Sequence, residues 1–347
     1  MNEKISKVID FYMSSNKMKY EIYQDTTRSH ADHLYGTLIL AISLNSELNL
    51  VDNIRRVLIS IVLRNMDKNS INTSMYNKYL NNTVLENNFI DMCDYLDFVL
   101  DKLINDNSNL DVVEIYNKSI ELEIFTPKDE DEYKSYLEIF KFYCLNTNLK
   151  NTPRSGWNSD NWNISASRLE RISEHVIGTI YLALAINSQF HNANDVEKVI
   201  EMLTIHEIGE TFIGDVTPRS GIPREEKVRI EKPAMSKALG FLSDKVKLLT
   251  LLYEFEDHIG PTSKFAYLCD KLEGDIQCKI YQEMGFHKNI KEHIEKGSVT
   301  KEISLDIIND NSTVFDVWYS NHRYIYNDNK EFTKILDYIR ANKLLKG

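Results

Sequence analysis

The sequence predicts an all-α protein, organised as a tandem of two related helical domains. Three observations support this prediction. Glycine and proline are scarce, at 12 and 6 of 347 residues, whereas a β-protein of this length needs more turn residues. Apolar residues recur at three- and four-residue intervals, which is the spacing of helices with one buried face. A segment of the first half also recurs in the second half, which indicates an internal repeat.

The repeat relates residues 33–66 to residues 175–208, 142 positions later, without a gap. Each copy has the pattern of a helix, a short polar turn and a second helix. The identical positions are His33/His175, Gly36/Gly178, Thr37/Thr179, Leu40/Leu182, Ala41/Ala183, Asn45/Asn187, Ser46/Ser188 and Val57/Val199. Similar short helices precede both copies, near residues 10 and 141. We therefore predict domains 1–137 and 138–347, the second with a C-terminal helical extension.

The composition excludes several classes of protein. A net charge of −11 disfavours binding to nucleic acid or to an anionic membrane, because both require a basic surface. No run of about 18 apolar residues is present, and the first residues lack the features of a secretion signal. The four cysteines show no CxxC spacing, which favours reduced thiols. We expect a cytoplasmic protein without a membrane or nucleic-acid partner.

The second copy combines residues that suit a metal centre. His175 begins an apolar helix, the pair His206-Glu207 lies in another, Glu210 follows one turn later, and Asp270 interrupts a third. Burying such groups costs several kcal/mol unless they are paired or bind a cation. Mixed nitrogen and oxygen donors suit Mn, Fe, Co, Ni or Zn. In the simpler alternative, the pair is an ordinary polar pair and Asp270 forms a salt bridge with Lys271.

The first copy lacks this combination. Arg64-Asn65 stands where the second copy has His206-Glu207, and an arginine removes an imidazole ligand and adds a repelling positive charge. We therefore expect no metal ion in the first copy. His30 and His33 are then ordinary surface or core histidines. No acidic residue within 67–137 matches Asp270 convincingly.

Five short motifs occur in an order that resembles the HD-domain phosphohydrolases. They are Pro153–Trp157, Arg168–His175, His206–Glu210, Gly214–Pro218 and Asp270–Glu273. More narrowly, the sequence resembles the branch that contains bacterial 5′-deoxynucleotidases and related HD-domain-containing nucleotidases, and the segment 222–227 also matches that branch. The resemblance covers roughly residues 140 to 285. It implies that the first half is a degenerate HD-like copy.

The resemblance implies one divalent metal ion held by His175, His206, Glu207 and Asp270. The implied reaction is hydrolysis of nucleoside 5′-monophosphates, with deoxyribonucleotides favoured, to nucleoside and phosphate. The family's dyad is His-Asp, whereas position 207 is glutamate, which is one methylene longer. The alternative is therefore a catalytically weakened HD-domain protein that acts as a nucleotide-binding or regulatory module.

The resemblance also assigns roles around the metal centre. Glu210 is placed to orient or deprotonate the attacking water, and Asp215 to protonate the leaving 5′-oxygen or bind the sugar hydroxyl. Arg154 offers a planar fork for phosphate oxygens, unless it forms a salt bridge with an acidic neighbour. Trp157 offers a face for the base or sugar, unless it packs in the core. Lys264 is a further candidate for the phosphate.

The expected partner is a small nucleotide substrate. The protein is expected to form a homodimer, or to be a monomer in which the first domain replaces a partner subunit. Aromatic residues within 300–347 are expected to pack in the core. The histidines without ligand spacing, His258 among them, are predicted to be surface residues.

Overall fold

A computed structural model describes residues 1–24, 27–66, 73–158, 162–191, 195–216, 224–287 and 312–345. Within these ranges the chain forms α-helices and short 3₁₀ turns, and isolated bridges are the only β-type pairing. The all-α prediction is therefore confirmed.

The first six helices lie before residue 122. They are α1 (Asn2–Asn16), α2 (His30–Leu48), α3 (Ile54–Arg64), α4 (Thr73–Leu80), α5 (Val84–Asp106) and α6 (Val112–Glu121). Those that follow are α7 (Glu130–Thr147), α8 (Ile172–Phe190), α9 (Val196–Ile205), α10 (Glu210–Ile213), α11 (Arg224–Ala238), α12 (Lys245–Asp257), α13 (Pro261–Glu283), α14 (Val314–His322) and α15 (Lys330–Ala341).

The two copies of the repeat have matching secondary structure. Helices α2 and α8 each contain 19 residues, and each ends at a residue with left-handed backbone, Asn49 (φ 48°) and His191 (φ 55°). A short connection then leads to α3 or α9, each capped at its start by an aspartate or asparagine side chain. These correspondences support the tandem interpretation, which stays a prediction.

The helices that precede the two copies are exchanged in space. Helix α1, which precedes the first copy, packs against α8 of the second, and α7, which precedes the second copy, packs against α2 of the first. Helices α2 and α8 also contact each other, as do α3 and α9. Residue 137 lies inside α7, and the division into two domains there remains a prediction.

Helix α13 lies at the centre of the second half. It packs against α8, α9 and α12, and the tail helices α14 and α15 cover it from another side. This arrangement brings the beginning of α8, the end of α9 and the middle of α13 close together. No helix in the described ranges is long and apolar enough to cross a membrane.

Candidate metal centre

His175 lies in the first turn of α8 and is completely buried. Its Nδ1 is 2.6 Å from Glu273 Oε2, and its Nε2 is 3.0 Å from Asp270 Oδ1. Burial and the charge of Arg154 oppose protonation of the ring, but Glu273 and Asp270 outweigh them and raise the pKa of His175 to about 9. Both ring nitrogens therefore face an environment that attracts a cation.

His206 and Glu207 lie in the turn that follows the last residue of α9. The Nδ1–H of His206 donates to the carbonyl oxygen of Leu203, at 2.8 Å. Its Nε2 is buried and has no hydrogen-bond partner among the described residues. Burial lowers the pKa of His206, so the ring is neutral at pH 7 and Nε2 carries a free lone pair.

Asp270 supplies the third element, from the middle of α13. Its Oδ1 faces His175, and its Oδ2 is 2.8 Å from the ammonium of Lys271. The salt bridge that the simpler alternative predicted is therefore present, but it uses only one of the two oxygens. Burial acts to raise the pKa of Asp270, but the charge of Lys271 and the hydrogen bond and charge of His175 hold it well below its usual value.

The four predicted ligands meet at one point. One donor atom from each of His175, His206, Glu207 and Asp270 lies within 4.8 Å of the other three. The buried Nε2 of His206 has no partner among the described residues, and leaving such an atom unpaired costs about 1–3 kcal/mol, so this nitrogen is a candidate metal ligand. Two imidazoles and two carboxylates form the mixed donor set that divalent transition metals prefer.

Glu207 reaches the cluster despite its longer side chain. Its Oε1 lies 3.6 Å from His206 Nε2 and 3.7 Å from His175 Nε2, and it accepts a hydrogen bond from Arg154 Nη1 at 2.7 Å. Burial acts against ionisation, but the nearby imidazole of His206 and the positive charges of Arg154 and His175 lower the pKa of Glu207 to about 2. The carboxylate is ionised at neutral pH and suits a cation.

The predicted catalytic and phosphate-side residues line the same cavity. Arg154, Glu210 and Asp215 form part of its wall together with His206, Glu207 and Asp270. The backbone N–H of Ser155 donates to Asp215 Oδ2 at 2.5 Å, and Arg154 Nε lies 4.0 Å from that same oxygen. Glu210 is buried at the start of α10. The salt-bridge alternative for Arg154 is thus also realised, since the guanidinium faces two acids.

Two of the predicted substrate residues lie elsewhere. The Trp157 ring is buried and stacks on Trp318, with ring centroids 4.9 Å apart, and its Nε1–H donates to Glu170 at 2.8 Å. Lys264 lies 3.5 Å from Asp328 on the surface. Neither Trp157 nor Lys264 is among the described residues that line the cavity. For Trp157 this is the core-packing alternative.

Other cavity residues were missed by the sequence reasoning. Met235 and Phe255 supply apolar wall, and His258 stacks on Tyr267 with centroids 4.1 Å apart. The expectation that His258 is a simple surface residue is therefore wrong. No motif marks these positions, because each comes from a different helix or helix end. Thr217, Pro218 and residues 222–223 of the predicted motifs lie outside the described residues.

The first copy retains a buried histidine between two carboxylates, in the same arrangement as His175. His33 Nε2 lies 2.9 Å from Asp94 Oδ1, and His33 Nδ1 lies 2.7 Å from Asp97 Oδ2. Asp94 therefore contacts Nε2 of His33 as Asp270 contacts Nε2 of His175. This contact corrects the expectation that no acidic residue within 67–137 matches Asp270. Arg64, at the position of His206, turns to Asp91 at 2.7 Å.

The described residues form a helical protein with a candidate metal centre made of histidine and carboxylate side chains. Residues 147–308 match the family model described as HD domain. The 5′-deoxynucleotidase HDDC2 of Danio rerio is 30% identical over 148 residues, which are 42% of this chain and 70% of that protein. The human HDDC2 is 28% identical over 148 residues, covering 42% and 69%. The 5′-deoxynucleotidase hdd1 of Schizosaccharomyces pombe is 29% identical over 154 residues, covering 42% and 73%. The chain belongs to the HD domain family.

Proposed function

We propose that this protein is a metal-dependent phosphohydrolase that converts nucleoside 5′-monophosphates, with deoxyribonucleotides favoured, to nucleoside and phosphate. One observation carries the proposal: four ionisable side chains from three separate elements converge on one point beside a cavity, and the buried Nε2 of His206 is left for a ligand. The relatives that carry the name 5′-deoxynucleotidase support the nucleotide as substrate.

His175, His206, Glu207 and Asp270 would hold one divalent ion, of Mn, Co, Fe, Ni or Zn. When bound, such an ion supplies a Lewis acid for a phosphate oxygen and lowers the pKa of water. The protein's own contribution is to fix the ligands before binding. His206 Nδ1–H is tied to Leu203 and His175 Nδ1–H to Glu273, which directs both Nε2 atoms to the same point.

The remaining cavity residues surround the place where a phosphate would react. Arg154 carries a positive charge at the cavity wall, suited to phosphate oxygens. Glu210 is a carboxylate beside the ligands and is assigned to orient or deprotonate water. Asp215, held by the Ser155 N–H, is assigned to the leaving 5′-oxygen or the sugar hydroxyl. These roles are part of the proposal.

We also propose that the first half takes the place of a partner subunit. The exchange of α1 and α7 between the halves gives each copy a helix from the other, which is the arrangement expected of two subunits joined in one chain. A monomer is the form that this arrangement favours, with a homodimer as the alternative.

A second candidate is a nucleotide-binding or regulatory module with weak or no turnover. The observation in its favour is the 2.7 Å contact between Arg154 Nη1 and Glu207 Oε1. An arginine engaged by a ligand carboxylate is less available to phosphate, and a glutamate engaged by arginine is less available to a metal ion.

The test is phosphate release from a panel of ribo- and deoxyribonucleoside 5′-monophosphates, with Mn²⁺ or Co²⁺ added. We expect release by the wild type, and its loss by at least about a hundredfold in His206→Ala, since that variant removes a ligand. Arg64→Ala is the matched control, because Arg64 occupies the same repeat position in the first copy and should leave the rate unchanged.

The same panel separates the two candidates. Phosphate release that His206→Ala does not reduce would contradict the proposed centre. If calorimetry shows nucleotide binding but no added metal ion supports phosphate release, the regulatory module is favoured.

A further inference from the structure

A buried lysine from the first half lies behind the candidate metal centre. The side chain of Lys19 is 2% exposed, and its Nζ donates to Glu170 Oε1 at 2.5 Å and also to Glu273 Oε1. The hydroxyl of Tyr12 on α1 donates to that same Glu273 oxygen at 2.8 Å. Both donors precede residue 20, whereas Glu273 lies on α13, so this is a contact between the two halves of the chain.

Glu273 connects the lysine to a predicted metal ligand. One of its oxygens binds Lys19 and Tyr12, and the other accepts the Nδ1–H of His175 at 2.6 Å. A carboxylate that accepts from one ring nitrogen fixes both the tautomer and the orientation of the ring, and it leaves the other nitrogen for a metal ion. The position of this carboxylate is in turn fixed by the ammonium of Lys19.

Lys19 also explains a second group of ligand-type residues. Glu170, His175 and Glu273 offer donor atoms within 4.8 Å of one another, as a metal site would. The ammonium of Lys19 already contacts the two carboxylates of this group. The chain therefore supplies its own cation there, and this group supports His175 instead of forming a separate metal site.

The same construction occurs in the first copy with the halves interchanged. Lys150 Nζ lies 2.7 Å from Asp97 Oδ1, and Asp97 Oδ2 accepts from His33. The hydroxyl of Tyr143 on α7 donates to Asp97 at 2.6 Å. Lys19 and Lys150 each end a 3₁₀ turn that directly follows the exchanged helix, α1 or α7. Each lysine therefore supports the histidine of the opposite copy.

We propose that Lys19 is a positioning residue for the metal centre, supplied by the first half of the chain and acting on His175 through Glu273. The proposal rests on the metal centre of the proposed function, but not on its substrate or reaction. It predicts that metal binding in the second half depends on a residue of the half that has lost the His-Glu pair.

The test compares Lys19→Met with Lys150→Met in the full-length protein. Both variants remove one buried ammonium and keep the length of the side chain, and the two lysines occupy equivalent places in the repeat. Co²⁺ binding to metal-free protein is measured by calorimetry, and the visible absorption spectrum is recorded at saturating Co²⁺. We expect Lys19→Met to weaken Co²⁺ binding by roughly 10- to 100-fold and to change the spectrum. Lys150→Met should alter neither.

A milder pair of variants covers the case in which Lys19→Met does not fold. Tyr12→Phe removes one hydrogen bond to Glu273, and Tyr143→Phe removes its equivalent to Asp97. We expect Co²⁺ affinity to fall by roughly 2- to 10-fold in Tyr12→Phe and to remain unchanged in Tyr143→Phe.

The outcomes are separable. Wild-type Co²⁺ affinity and spectrum in Lys19→Met or in folded Tyr12→Phe would overturn the positioning role while leaving the metal centre intact. Equal losses in Lys19→Met and Lys150→Met would show that the lysines act only on overall stability, and would also overturn it. A wild-type protein that binds no Co²⁺ would overturn both this inference and the proposed centre.

Discussion

At the scale of single residues, the repeated glycines have a steric cause. A β-carbon at Gly178 would overlap Glu273 Oε1 and Lys19 Nζ, and one at Gly36 would overlap Asp97 Oδ1 and Lys150 Nζ. The identity of Gly36 and Gly178 in the sequence is therefore explained by the buried ion pair that each one accommodates. Residues of this kind mark close approach of a side chain to a helix backbone.

We predict that Gly178→Ala destabilises the protein by about 1–3 kcal/mol, because the added methyl group must displace the buried carboxylate of Glu273 and the buried ammonium of Lys19. The measurement is the free energy of unfolding in urea. Gly274→Ala on α13 is the control, since no heavy atom lies within 4 Å of its added β-carbon. That variant should gain up to about 1 kcal/mol from helix propensity. Equal stability of the two variants would contradict the steric explanation.

The residues of the candidate centre were predictable where motifs are local. His206, Glu207 and Glu210 lie within five consecutive positions, and the gap-free repeat identified His175. The supporting residues were not predictable, because Lys19 and its partner Glu273 are 254 positions apart. Asp94 was missed for a related reason: it lies 61 positions after its histidine, whereas Asp270 lies 95 positions after His175. The segments between the two copies have different lengths, so the offset of 142 fails there.

At the scale of helices, α13 connects the candidate metal centre to the C-terminal extension. Asp270 and Glu273 point toward His175, and Asp275 is completely buried on another face. The hydroxyl of Tyr326 donates to Asp275 Oδ2, and His322 Nδ1 lies near Oδ1, both at 2.6 Å. Tail residues from 314 to 326 thus satisfy a buried carboxylate on the helix that carries two residues of the centre.

We predict that Tyr326→Phe lowers the free energy of unfolding by about 1–3 kcal/mol, because it leaves one oxygen of a buried carboxylate without its donor. Tyr324→Phe is the control, as the Tyr324 side chain is largely exposed and should change stability by less than about 0.5 kcal/mol. Urea unfolding of both variants measures the difference. A loss in Tyr324→Phe as large as that in Tyr326→Phe would contradict this account.

The helices were easier to predict than their partners. The spacing of apolar residues and the repeat predicted helices α2, α3, α8 and α9, because the formation of these helices depends on local sequence. The exchange of α1 and α7 was not predictable from the residues, because both helices have one apolar face and either copy could cover it. The structure distinguishes the two arrangements by the packing of α1 on α8 and α7 on α2, and by the placement of Lys19 and Lys150 against the opposite copies.

At the scale of the whole molecule, the exchanged helices join the halves into one unit. Each copy is completed by a helix from the other, and each buries an ammonium from the other. Neither half can lose its structure without removing a helix and a buried charge partner from its neighbour. Cooperative behaviour of the entire chain is the physical consequence.

We predict that the two halves unfold in a single transition. All three tryptophans, Trp157, Trp162 and Trp318, lie in the second half, so tryptophan fluorescence reports on that half alone. Circular dichroism at 222 nm reports on the helices of both. The two signals should give the same urea midpoint, whereas halves that are independent would give a fluorescence transition displaced from at least one step of the dichroism curve.

The origin of Lys19 bears on how a shortened form of this protein would behave. A gene trimmed to the region that matches the family model, residues 147–308, encodes all four candidate ligands. It omits Tyr12, Lys19 and the helix that covers α8. The polypeptide would leave Glu273 with a buried negative charge and no ammonium to neutralise it. A shortened form for recombinant expression should therefore keep both partners of the buried ion pairs, and it should begin before residue 12.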